Sequence, residues 1–151
     1  MALLPVMDIA HTGHMVIRTD SMGLSAARKQ VHGIAKELRF SDDEASDILI
    51  AVGEAISNAY RHGTQDHLNG ITYVDWKFAN KTLTVSIKDE GCKWPPNIAC
   101  SLISSFTPTG RGLDIMRMSV DDVHLEIGNG SRIVLKKSGR NCTKVLKAVA
   151  I

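Results

Sequence analysis

Residues Ser41 to Gly63 read SDDEASDILIAVGEAISNAYRHG, and their spacing predicts one amphipathic helix. Ser41 with Glu44 three residues on is a capping box, in which each side chain satisfies an otherwise unpaired backbone N–H. Gly63 can take the left-handed conformation that ends helices. At 100° per residue, Ile48, Leu49, Val52, Ala55, Ile56 and Ala59 share an apolar stripe, while Asp47, Ala51, Glu54, Asn58 and Arg61 collect on the far side. A solvated face is the ordinary fate of such a polar set. Glu54 and Asn58, however, stand four apart, which brings their heads to one spot with β-carbons about 5–6 Å apart. One can then act as a base while the other holds a metal ion. The helix alone leaves both readings open.

The chain has 151 residues, enough for one domain with a real core. Its hydrophobic fraction of 44% and charged fraction of 23% are those of a soluble globular protein rather than a disordered or fibrous one. A net charge of +2 gives no reason to invoke nucleic acid. No apolar run approaches a membrane span, and Met1 to Ala10 lacks the regions of a signal peptide, so a cytoplasmic protein without membrane contact is expected. Cys92, Cys100 and Cys142 lack the paired spacings of a zinc or redox motif, and free thiols in a reducing compartment are expected. His11 with His14, and His62 with His67, find no matching second pair and read as turn or surface residues.

Outward from the helix, His14 to Arg18 is a short β-prone run suited to an edge strand. Asp20 or Ser21 then caps a helix whose apolar positions are Leu24, Ala27, Val31, Ile34 and Leu38. Arg28, Lys29, His32 and Lys36 lie off that stripe, as a solvated basic face or a partner surface. Downstream, Ile71 to Phe78 and Thr82 to Lys88 form a hairpin. In its second strand Leu83, Val85 and Ile87 point inward, and the two-residue alternation puts Asp89 inward as well. A carboxylate there is costly unless something donates to it, and Gly91 beyond it permits close approach to a flat ligand; an ordinary strand-end turn is the plainer reading.

Cys92 to Thr109, with Pro95, Pro96 and Pro108, reads as a long irregular loop of the lid or binding type. Gly110-Arg111-Gly112 then opens a helical run through Leu113, Ile115, Met116 and Val120, where clustered backbone N–H groups and the positive helix end suit phosphate. Neither common nucleotide-binding glycine motif is present. Val123 to Ile127 and Ser131 to Lys137 form a second hairpin around Gly128-Asn129-Gly130. Ser138 to Ile151 is a basic tail with Arg140, Lys144 and Lys147.

Three signals therefore stand in one order: E-x-x-x-N on a helix, D-x-G after a strand, G-x-G at a helix start. In this order they resemble the GHKL (Bergerat) ATP-binding superfamily over about His14 to Lys137. Glu54 to Gly63, Ile87 to Gly91 and Thr109 to Met116 look most like the anti-sigma factor serine kinases. The resemblance implies an α+β two-layer sandwich, a mixed, mostly antiparallel sheet with helices on one face, and a kinase domain at 1–137 followed by the tail 138–151. It implies ATP and Mg²⁺, with Asn58 ligating the metal, Asp89 accepting from the adenine amino group and Gly91 lining the adenine pocket. Thr109, Gly110, Arg111 and Gly112 would wrap the phosphates, and Glu54 would be the general base. Arg61, on the same helical face, could add charge stabilisation or equally form a salt bridge with Asp47 or Glu54, and Arg28 matches the arginine that can face partner proteins in the family.

One departure is that many relatives read D-x-G-x-G, whereas Lys93 holds the second glycine position here. The function implied is a serine/threonine kinase that phosphorylates a small antagonist protein and sequesters a sigma factor, with a homodimer suggested by the family. The competing reading is a nucleotide-sensing partner switch that transfers nothing; a structural domain without nucleotide is the third.

Overall fold

The computed structural model describes residues 11–18, 20–62, 70–89, 111–128 and 130–140, without the side chains of 60–62, 127 and 128. The elements are β1 (His11–Arg18), α1 (Ser21–Glu37), α2 (Asp42–His62), β2 (Ile71–Ala79), β3 (Thr82–Asp89), α3 (Gly112–Ser119), β4 (Asp122–Gly128) and β5 (Gly130–Ser138). Gly63 and the segment from Glu90 to Gly110 lie outside the described residues, as do the three cysteines and the tail beyond Arg140.

Local chemistry sets the helix ends. Asp20 caps α1, its carboxylate accepting from the Gly23 amide at 2.8 Å. At the other end the Phe40 amide bonds to Ala35 O at 3.0 Å and the Arg39 amide to Lys36 O at 3.1 Å. This is a Schellman closure with arginine, at φ 63°, where glycine is usual. Two residues later α2 opens with the expected capping box: Ser41 N donates to Glu44 Oε2 at 2.9 Å, and Glu44 N to Ser41 Oγ at 3.1 Å. Glu44 Oε1 also accepts from the Arg140 amide at 3.1 Å, which ties the end of β5 to the start of α2.

The strands form one five-stranded sheet in the order β1-β2-β3-β5-β4. Every pairing among the described residues is antiparallel, where the sequence leads to a mixed, mostly antiparallel sheet. β1 lies at an edge, as its short β-prone run predicts. β2 and β3 are joined through Asn80 and Lys81, at φ 52° and 60°, the positive-φ pair that a two-residue hairpin turn requires. β4 and β5 close as a hairpin at the Gly128–Gly130 pair.

The pleat sorts the residues. Thr72, Val74, Trp76 and Phe78 of β2, Leu83, Val85, Ile87 and Asp89 of β3, and Ile133 and Leu135 of β5 are all buried on one face, and α1, α2 and α3 complete the core there. α2 is the middle helix, packed against α1, α3, β3 and β5. Its sheet-facing stripe is the expected one, with Ile48, Val52, Ala55, Ile56 and Ala59 at 4% exposure or less. The far side is not a uniform solvent face. Ala51 and Asn58 are buried as well, and α2 has α1 and α3 as helical neighbours. Among the described residues no helix is long and apolar enough to cross a membrane.

Candidate functional site

The interior position of Asp89 follows from strand alternation, and its cost is met from a distant part of the chain. Asp89 is 2% exposed and accepts from Ser131 N at 3.2 Å and Ser131 Oγ at 2.5 Å. Thr72, its cross-strand neighbour, is buried beside it. Both bonds come from Ser131, the second residue of β5, which pairs with β3. These two bonds, one on each carboxylate oxygen, fix the plane of the group.

Asn58 presents the opposite situation. Its side chain is 1% exposed, yet neither Oδ1 nor Nδ2 has a hydrogen-bond partner. Other described residues leave a single buried atom unpaired, at His11 Nδ1, Trp76 Nε1 and Arg132 Nε; only Asn58 leaves an entire polar head so. A buried group in that state costs about 1–3 kcal/mol, a cost that a ligand completing it would remove. Glu54, one turn earlier, is half-buried.

α2 is in contact with both β3 and α3, so the elements bearing Asp89 and bearing Arg111 and Gly112 each adjoin the helix that carries Glu54 and Asn58. Arg111 is the N-cap residue of α3 and Gly112 its first residue, buried. Arg28 is on the exposed side of α1, which packs on α2. Arg61 belongs to α2 by its backbone, but its side chain is outside the described residues, as are Gly91, Thr109 and Gly110 entirely. Ser131 and Thr72 were not distinguishable as site residues by sequence, since their relation to Asp89 arises from register between strands far apart in the chain.

The donor chemistry fits a hard cation shared with phosphates. Among the described residues no group of three or more His, Cys, Asp or Glu could hold a metal, and Mg²⁺ in phosphate-transfer sites needs no such cage. It keeps waters and substrate oxygens and takes one or two protein oxygens. The unpartnered Asn58 Oδ1 is an oxygen of that kind.

Comparison with known proteins bears on the family and the fold. The histidine kinase-like ATPase domain family matches residues 17–137. An anti-sigma F factor of Geobacillus sp. (strain WCH70) is 31% identical over 82% of this chain and 90% of its own. The serine-protein kinase RsbW of Bacillus subtilis (strain 168) is 26% identical over 73% of this chain and 74% of its own. Among solved structures, the RsbU and RsbW domains of a Mycobacterium tuberculosis protein superpose with TM-score 0.66 at 19% identity, over 85% of this chain and 32% of that one. The catalytic domain of the histidine kinase ThkA superposes with TM-score 0.51 at 16% identity, over 84% of this chain and 96% of that one. The structural likenesses bear on the fold, and the α+β architecture is the one they share.

Proposed function

The chain belongs to the histidine kinase-like ATPase family, and from that premise we propose that it is an ATP- and Mg²⁺-dependent serine/threonine protein kinase of the anti-sigma type. Its substrate is a serine on a small antagonist protein, and its second partner is a sigma factor that it sequesters. The family implies ATP, and the names of the relatives support the kinase branch. The observation that carries the reading is the orphaned carboxamide of Asn58, one helical turn from Glu54.

Asn58 offers its amide oxygen to the metal, which when bound neutralises phosphate charge. Asp89, oriented by Ser131, would accept from the adenine amino group, and Gly91, having no side chain, would let the ring approach. Backbone N–H groups of Gly110, Arg111 and Gly112, with Thr109, bind the phosphates at the positive end of α3. Glu54 takes the proton from the attacking serine hydroxyl, a contribution of about 10²- to 10⁴-fold. The remaining work is positioning and charge stabilisation, to which Arg61 adds a cation. Arg28 faces the protein partners, and a homodimer is the assembly suggested by the family.

A purified sample incubated with Mg²⁺ and γ-labelled ATP, alone and with the products of neighbouring genes, tests the reading. Label on an acceptor serine is the expected result. ATP binding without transfer to any of them would replace the kinase by a nucleotide-sensing switch.

A further inference from the structure

β5 turns a lysine toward the helices. Ile133 and Leu135 are buried on that face, and the two-residue alternation of a strand carries Lys137 to the same side, where its cross-strand neighbour is buried Leu83 of β3. The Lys137 stem borders a cavity of about 10 Å³ together with Ile48, Val52 and Val120, and the side chain is 15% exposed. An aliphatic residue would suit that row without the cost of taking an ammonium group out of water. The reason for a lysine therefore lies at its head.

Lys137 Nζ donates to the carbonyl oxygen of Ser119 at 2.9 Å and to Asp47 Oδ2 at 3.3 Å. Ser119 is the last residue of α3, so its carbonyl is one that no amide of the helix itself can reach, and a cation suits the negative end of a helix. Neighbouring contacts bind the same end to β5: the Asp121 amide donates to Lys136 O at 2.9 Å, and the Ser138 amide to Asp121 Oδ2 at 2.6 Å. α3 has eight residues, too few to hold a helix or an orientation alone. Its aim is set by packing on α2 and by what grips its ends. Lys137 joins the finishing end to β5 and, through Asp47, to an early turn of α2. Asn58 belongs to the same helix as Asp47, about three turns and about 16 Å further along, on nearly the same face.

We infer that Lys137 is a positioning residue for phosphate binding: by gripping the last carbonyl of α3 it holds that helix against α2, and so sets where the amides of Arg111 and Gly112 at its other end point. An eight-residue helix is about 12 Å long, so a tilt of about 10° moves its start by about 2 Å, and a misplacement of about 1 Å can cost about 10²-fold. Lys137 acts through α3 rather than on the nucleotide. The inference rests on the phosphate role given above to Arg111 and Gly112, and on the contacts of Lys137 for the grip.

The test uses the full chain with Lys137→Met, which keeps the apolar stem and removes the ammonium, and Asp47→Asn, which weakens the ion pair and leaves the bond to Ser119. Nuclear magnetic resonance of the ligand-free protein follows the Arg111 and Gly112 amides, and titrations with Mg²⁺-ATP and with adenosine, which has no phosphates, follow binding. Lys137→Met should shift both amide signals and raise the Kd for Mg²⁺-ATP about tenfold with adenosine binding unchanged, a split that a loosened fold would not produce. Asp47→Asn should leave the amides and both affinities as in the wild type. Lys137→Gln, polar and shorter, carries the same expectations as Lys137→Met if methionine prevents folding. Unmoved amides or wild-type Mg²⁺-ATP affinity in the lysine variants, an equal loss for ATP and adenosine, or the same loss in Asp47→Asn would overturn the inference. A wild type that binds Mg²⁺-ATP no more tightly than adenosine would instead remove the nucleotide reading, and the two amide signals would still decide the grip.

Discussion

Replacing Asn58 by leucine separates what the residue costs the fold from what it contributes to binding. Leucine keeps the length and branching of the side chain but removes both orphaned polar atoms. In a site 1% exposed, the removed penalty is about 1–3 kcal/mol, and the leucine adds apolar burial. Taking about 2 kcal/mol as the net gain, the ligand-free variant should melt about 4–8 °C above the wild type for a chain of this size. With Mg²⁺-ATP at 100 times its Kd the wild type should gain about 2.7 kcal/mol and the variant almost none, so the order of the two melting temperatures reverses. Differential scanning calorimetry with and without nucleotide reads all four values. A ligand-free variant less stable than the wild type by 1 kcal/mol or more, or one that keeps the full nucleotide shift, would refute the reasoning.

Other positions give independent checks. Lys81, at φ 60° in the β2–β3 turn, sits where glycine is favoured after asparagine, and Lys81→Gly should stabilise by about 0.5–1 kcal/mol in urea unfolding. Gly23→Ala should do the reverse, costing about 1–3 kcal/mol in the same assay, because a β-carbon there would stand 1.7 Å from the Arg18 carbonyl oxygen and backbone cannot yield cheaply. Burial pushes the Glu44 carboxyl up, the largest single effect, but hydrogen bonds from Ser41 and Arg140 together with Lys137 outweigh it and hold the group below its usual range. Its stabilisation is therefore complete above the unfolded value near about 4.3 and lost as pH falls through the lower folded value. The difference in melting temperature between wild type and Glu44→Gln should accordingly be largest near neutral pH and shrink below about pH 4.

Features encoded within one turn of helix or one strand were legible before the structure. The capping box at Ser41 and Glu44, the stripe from Ile48 to Ala59 and the inward position of Asp89 all follow from local sequence signals, and the fold class was implied by the family resemblance that the motifs carry. What escaped is non-local. Asn58 falls on the polar side of a helical wheel, and only its tertiary surroundings bury it. Ser131 meets Asp89 because β5 inserts between β3 and β4, a register that no run of residues announces. The same holds for Lys137 between Asp47 and Ser119, contacts across three elements, and for Arg39 at positive φ, where the chain reversal into α2 overrides the preference for glycine.

The central claim, that Glu54 acts on the acceptor while Asn58 and Asp89 hold the nucleotide complex, is tested most directly by Glu54→Gln. Transfer rate and ATP affinity should be measured on one preparation, by labelled phosphate and by calorimetric titration. The account predicts ATP affinity within about twofold of the wild type and a transfer rate lower by about 10²- to 10⁴-fold. Transfer at the wild-type rate with undiminished ATP affinity would contradict it.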